Sequence, residues 1–170
     1  LFGFLGAPPL EVLYRLLIDP LASAYNISEV VIKAAPLILI AQGLAIGFRA
    51  KVWNIGAEGQ LIIGAVAASV IPITFPESQN VLMLPAMMLA GMIAGAAWAG
   101  IAAALKTRFN ASEIIVTLML NQIAVQILYF LIHGPLKDPM GFPYPQSLSF
   151  PPVAMYPLLS DDGMLRANAS

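Results

Sequence analysis

Cysteine is absent from this 170-residue chain, and histidine occurs once, at His133. The first absence excludes disulfides, thiolate metal sites and a cysteine nucleophile; the second argues against a histidine-based metal cluster. Charge is scarce as well. Asp, Glu, Lys and Arg make up 10% of the residues, where soluble domains carry about a quarter. The formal net charge of -1 provides no basic surface for nucleic acid, and no run of like charge forms a tail. Phosphate loops, nucleophile elbows and zinc signatures are all missing. The sequence therefore offers no catalytic residue, no metal ligand set and no cofactor motif.

What remains is apolar. Hydrophobic residues account for 59% of the chain and the mean hydropathy is +0.84. Since about 20 apolar residues of helix cross the roughly 30 Å hydrocarbon core, four spans are expected, at about 27–48, 54–75, 81–105 and 111–133. The fold class is all-α: a partial, polytopic transmembrane helical bundle. The first residues, Leu1–Ala7, are already apolar and follow no basic region, so they read as the end of an earlier span rather than a signal peptide. The chain as a whole reads as a fragment of a single transmembrane domain, with segments 1–26 and 134–170 outside.

Local signals refine the spans. Asn26 with Glu29, and Asn110 with Glu113, have capping-box spacing, which predicts helix starts at both. Pro36 should kink the first span. Leu10, Leu13, Leu16 and Leu17 share one face of a short segment opposite Glu11 and Arg15, as in a helix lying along a membrane surface. Gly134–Pro157 is dense in proline and should be irregular. Gly43-x-x-x-Gly47 and Gly91-x-x-x-Gly95 have the spacing of close helix crossings, and Met83, Met87, Met88 and Met92 suit adaptable packing. Bases concentrate in two short connections, Arg49 with Lys51 and Lys106 with Arg108, while the Pro76–Asn80 connection holds Glu77 and no base. The positive-inside rule puts the two basic connections in the cytoplasm and Glu77 outside.

Polar groups at membrane depth are the candidate functional residues. Asn54-Ile-Gly-Ala-Glu-Gly-Gln60 places Asn54, Glu58 and Gln60 between two apolar runs. Glu58 has two readings: a gate or pathway carboxylate, or an acid in the first turn of a helix. Asn54 is a plausible N-cap, and Gln60 could simply bond a neighbouring helix. In the fourth span Glu113, Thr117 and Asn121 recur at i+4 steps, and Gln122 with Gln126 form a second such pair. The Glu113–Thr117–Asn121 stripe suits either interhelical hydrogen bonding or the lining of a solute path.

The stretch Lys106-Thr-Arg-Phe-Asn-Ala-Ser-Glu113, followed by Ile114-Ile-Val-Thr-Leu-Met-Leu-Asn121, does more than link two helices. Together with Ala35-Pro36-Leu37, Phe48-Arg49 and Asn54–Gln60, it resembles the membrane permease subunits of bacterial ABC importers. The family is that of ribose and branched-chain amino acid permeases, with the nearest look to the subgroup serving nucleosides and simple sugars. The resemblance covers most of residues 27–138. It implies half of a solute pathway in the bacterial inner membrane, working by alternating access, with Asn54, Glu58, Gln60, Thr117 and Asn121 as pathway or gate residues. It also implies a cytoplasmic loop, Lys106, Thr107, Arg108, Phe109, Asn110, Ala111, Ser112 and Glu113, that docks on a separate ATPase. Further implied partners are a second permease subunit, an extracytoplasmic solute-binding protein, a small-molecule solute and the lipid bilayer. An ion-coupled secondary transporter, a membrane enzyme and a non-transporting scaffold are the rival readings.

Overall fold

A computed structural model describes residues 8–139, 141 and 146–156. Among these the regular structure is entirely helical, as the composition led us to expect. The chain divides into two compact units, Leu1–Gln42 with Tyr156–Ser170, and Gly43–Met155. The expected end of an earlier span at Leu1–Ala7 lies outside the described residues, as does everything beyond Tyr156.

In the first unit, helix α1 (Pro9–Leu17) starts on a proline, whose fixed φ suits a first helical position. Its four leucines are exposed along one side, and Glu11 pairs with Arg15 at 2.8 Å one turn on. That surface pair contributes at most a few tenths of a kcal/mol. A 3-10 turn at Asp19–Leu21 leads into α2 (Ala24–Arg49). The Asn26 capping box is not formed. Ser23 Oγ accepts the Asn26 N–H at 3.1 Å, so the cap lies three residues earlier. Asn26 instead donates its side-chain amide to the Asp19 carbonyl at 2.8 Å. The helix runs on through Pro36 without interruption.

The second unit contains the end of α2 and three further helices, α3 (Ala57–Thr74), α4 (Met83–Phe109) and α5 (Glu113–His133). Helices α2 to α5 are each long and apolar enough to cross a membrane, which gives the four expected spans with shifted ends. Helix α3 starts three residues later than expected, because Asn54 is not its N-cap. Asn54 Oδ1 accepts the Gly56 N–H at 2.9 Å in a side-chain-to-backbone turn, and Gly56 precedes the first helical residue. Helix α4 overruns its expected end by four residues and stops at Asn110, which is left-handed (φ 51°). Asn110 is therefore a C-cap, and the second expected capping box is also absent; Ser112 precedes α5. Asn tolerates this conformation better than most residues, and Lys51 adopts it too (φ 59°) just after α2. There, Val52 N–H bonds to Gly47 O at 2.9 Å and Lys51 N–H to Phe48 O at 3.0 Å, a Schellman arrangement with lysine in place of the usual glycine.

Glycine sets how closely the helices cross. A Cβ on Gly64 would stand 2.9 Å from the Gly91 carbonyl oxygen, and one on Gly95 would stand 3.2 Å from the Gln60 carbonyl. The Gly91/Gly95 pair thus carries the α3–α4 crossing. The Gly43/Gly47 pair does not serve this way: a Cβ on Gly43 would meet nothing within 4 Å. At the other end of α4, Met83 and Met87 are buried with Ala154 against Ala68, Ile71, Phe150 and Val153. The described part of the proline-rich segment is irregular, with one 3-10 turn at Pro152–Ala154, and it folds back onto these methionines.

Candidate functional site

The i+4 stripe of α5 turns toward its neighbours, and each member ties the helix to a different element. At the start of α5, the Glu113 carboxylate pairs with Lys106 Nζ at 2.8 Å, on the last turn of α4. One turn on, Thr117 is buried. Its hydroxyl donates to the Glu113 carbonyl at 2.7 Å and accepts the Ile55 N–H at 3.2 Å. Both capacities of the hydroxyl are thereby used, and the extended segment before α3 is fixed to α5. A further turn on, Asn121 donates its amide to the Glu58 carboxylate at 2.9 Å, in the first turn of α3.

Glycines again make room for these ties. A Cβ on Gly56 would stand 2.8 Å from the Thr117 carbonyl oxygen, and one on Gly59 would stand 2.9 Å from Asn121 Cα. Asn121 Oδ1 is buried without a hydrogen-bond partner among the described residues. It lies 3.0 Å from where a Cβ on Gly59 would stand. Trp98 Nε1 is likewise buried and unpaired. The sequence pattern had no signal for either atom.

The Lys106–Glu113 pair and Thr117 form part of the wall of a cavity of about 380 Å³. Lys51, Trp53, Asn54, Gln60, Lys106 and Thr117 line it, with alanines of α4. Trp53 also lies against Phe48, ring centroids 5.3 Å apart. The cavity therefore joins residues expected in the pathway (Asn54, Gln60, Thr117) to residues expected in the docking loop (Lys106, Thr107, Glu113). Glu58 and Asn121 meet each other outside this lining.

The expected docking loop is itself half helical. Lys106–Phe109 forms the end of α4, Thr107 bonds back to the Ala103 and Ala104 carbonyls, and only Asn110, Ala111 and Ser112 connect the helices. Arg108 and Phe109 are exposed on this end. The Lys106–Glu113 pair was not anticipated, because seven residues spaced as a loop do not predict an ion pair across a tight helical corner. Among the described residues no group of acidic or histidine side chains is placed to hold a metal.

Comparison with known proteins agrees with this architecture. The family model for the permease component of branched-chain amino acid transport systems matches residues 26–165. A glucose ABC transporter permease of Haloferax volcanii is 35% identical over 156 residues, which is 92% of this chain and 40% of the relative. A nucleoside ABC transporter permease of Lactococcus lactis is 33% identical over 142 residues, 78% of this chain and 39% of the relative. A guanosine ABC transporter permease of Bacillus subtilis is 35% identical over 114 residues, 67% of this chain and 32% of the relative. The chain thus spans no more than about 40% of the length of these relatives. No solved structure matches it at a significant level. A family match over most of the chain, borne on four apolar helices, shows that this multi-pass inner-membrane chain belongs to the branched-chain amino acid transport permease family of ABC transporters.

Proposed function

We propose that residues 1–170 are a fragment of a single transmembrane permease domain that forms half of the solute pathway of an ATP-driven importer for nucleosides or simple sugars. ATP hydrolysis takes place on separate ATPase subunits, and this chain contributes no covalent chemistry. A second permease subunit completes the pathway, and an extracytoplasmic binding protein delivers the solute. The observation that carries this reading is the string of ties along α5. Lys106–Glu113, Ile55–Thr117 and Glu58–Asn121 connect the basic end of α4 to α5, to the segment before α3, and to α3 itself.

In this mechanism the exposed end of α4 and the Asn110–Ser112 corner receive the ATPase, with Arg108 and Phe109 as contacts. A push on that corner moves α5 and, through Asn121, the start of α3. Alternating access follows from the changed packing of α3 against α5. The names of the relatives, a glucose and two nucleoside permeases, support the solute class and favour ATP coupling over ion coupling.

The test is uptake of labelled guanosine and glucose by the full-length permease with its ATPase and binding protein in sealed vesicles. Uptake of one of them that stops when the ATPase is made catalytically dead supports the reading. Uptake that continues with a dead ATPase and follows an ion gradient would move the assignment to a secondary transporter.

A further inference from the structure

The seam between α3 and α4 changes character along its length. Gln60, Gly64, Ala68 and Ile71 recur at helical spacing on α3, and Gly95, Gly91, Met87 and Met83 recur on α4 in the opposite direction. Gly64 meets the Gly91 backbone and Gly95 meets that of Gln60, while Ala68 and Ile71 pack with Met87 and Met83. At the Lys106 end the same two helices border the cavity, through Gln60, Ala99, Ala102 and Ala103. The positive-inside rule puts that hollow end in the cytoplasm and the methionine end outside.

At the outer end the seam has a third member, the strap of residues 146–155. The Asp138 N–H donates to the Gln146 carbonyl at 2.8 Å, which pins the start of the strap near the end of α5. Pro151 and Pro152 then set up the 3-10 turn. Within it the Ala154 N–H donates to the Pro151 carbonyl at 2.9 Å and the Met155 N–H to the Pro152 carbonyl at 3.1 Å. The turn lays Val153 and Ala154 on Met83 and Met87, with Phe150 beside them. Ala154 is 6% exposed, whereas its neighbour Met155 is 54% exposed. Two prolines leave the lifted chain little conformational freedom to regain, and lifting would return two methionine side chains to water. The strap carries no charged residue, so no titration or ionic attraction acts to draw it off.

We infer that this strap is a fixed staple and not a gate: α3, α4 and residues 146–155 move as one body, and the outer ends of α3 and α4 stay closed throughout the transport cycle. The inference rests on the importer function proposed above and says where its motion occurs. Tethered by the strap at its outer end, α5 tilts against α3 at its inner end, where the seam borders a cavity instead of a plug of side chains.

The experiment uses the full-length permease with its ATPase and binding protein in lipid nanodiscs, once without nucleotide and once trapped with ATP and vanadate. Ala154→Cys, with Met155→Cys as the exposed comparison, is treated with a water-soluble maleimide and read on the permease band. Any cysteine native to the rest of the permease is replaced first. Ala154→Cys should react about tenfold more slowly than Met155→Cys in both states, in line with exposures of 6% and 54%. Reaction of Ala154→Cys at the Met155→Cys rate in either state overturns the inference, because the strap then lifts. Hydrogen exchange of the wild-type complex reads the same contact without any substitution, and it decides the matter if Ala154→Cys does not assemble. The Ala154 and Met155 amides should be equally protected in the two states, and loss of protection in the trapped state overturns the inference. If the wild-type assembly neither retains nucleotide under vanadate nor takes up labelled guanosine or glucose, the importer reading fails and the inference falls with it. That result is distinct from a complex that traps nucleotide and lifts its strap.

Discussion

Gly59→Ala tests how α3 and α5 are held together. Gly59 is buried, and a Cβ there would stand 2.9 Å from Asn121 Cα, 3.0 Å from Asn121 Oδ1 and 3.3 Å from Ala124 Cβ. Carbon–carbon contacts are comfortable near 3.5–4.0 Å, so the closest one falls short by about 0.6–1.1 Å. Asn121 Cα is backbone and Ala124 Cβ is fixed to it, so neither can swing aside. Relief requires α5 to move off α3 as a body. A shift of that size takes the 2.9 Å Asn121–Glu58 bond and the 3.2 Å Ile55–Thr117 bond out of range.

Overpacking of this kind costs about 1–3 kcal/mol, and each lost bond about 1 kcal/mol more. Alanine returns roughly 0.8–1.0 kcal/mol through its better helix propensity. The net loss is about 2–4 kcal/mol. Gly43→Ala has the same propensity gain with open space around the new methyl, so it should be neutral or slightly stabilising. Thermal unfolding of the two purified full-length variants in one detergent, followed by the loss of monodisperse protein, compares them directly. Gly59→Ala should unfold several degrees below wild type and Gly43→Ala at or above it. Equal unfolding temperatures for the two variants would refute the crossing described above.

The remaining expectations are simpler to read. Because the chain has no cysteine, single cysteines at Lys51, Arg108, Glu77 and Lys137 can be labelled with an impermeant thiol reagent in whole cells. Labelling is expected at 77 and 137 but not at 51 or 108, and the reverse pattern would invert the topology. Lys51→Gly relieves a left-handed lysine (φ 59°) and should stabilise the fold by about 1 kcal/mol; an unfolding temperature at or below that of wild type would remove the strain argument. Lys106→Glu should leave stability close to that of wild type, since the pair lies at the solvent-exposed end of α4. It should nevertheless lower uptake per ATP hydrolysed, and the double swap Lys106→Glu with Glu113→Lys should restore part of it; failure of the swap to recover anything would remove the pair from the coupling route.

The spans were legible because apolar length is a one-dimensional property: four runs in the sequence became four helices. Their ends were not, and the reason is the same at three places. Asn26, Asn54 and Asn110 all precede helical stretches, and an asparagine there can cap a helix, close a turn or adopt a left-handed C-cap with equal ease. Ser23 outcompeted Asn26 because it stands one turn earlier in register with a free N–H. Asn110 became a C-cap because α4 continued through Lys106–Phe109, four helix-compatible residues that charge counting had placed in a loop. The two small-residue pairs look alike in sequence, yet of the four glycines only Gly91 and Gly95 face the backbone of another helix. Spacing states that a close approach is permitted; it does not say whether a partner arrives.

The polar stripes of α5 show the same ambiguity with more consequence. Glu113–Thr117–Asn121 and Gln122–Gln126 both recur at i+4, so periodicity ranks them equally. Geometry separates them by whether hydrogen-bonding capacity is spent. In the first stripe every side chain is engaged with α4, with the segment before α3, or with α3. A group so engaged can transmit a displacement, because breaking its bond has an energetic consequence in a second element. It is poorly placed to greet a solute, which would have to compete with the partner already in place. The second stripe has the opposite character: among the described residues neither Gln122 nor Gln126 makes a hydrogen bond. If the α4 end is pushed, the bonds of the engaged stripe are the ones that would carry that push from Lys106 to Glu58. One face of α5 thereby spends its hydrogen-bonding capacity on three neighbouring segments, which is why a displacement at its start has an energetic consequence at Glu58.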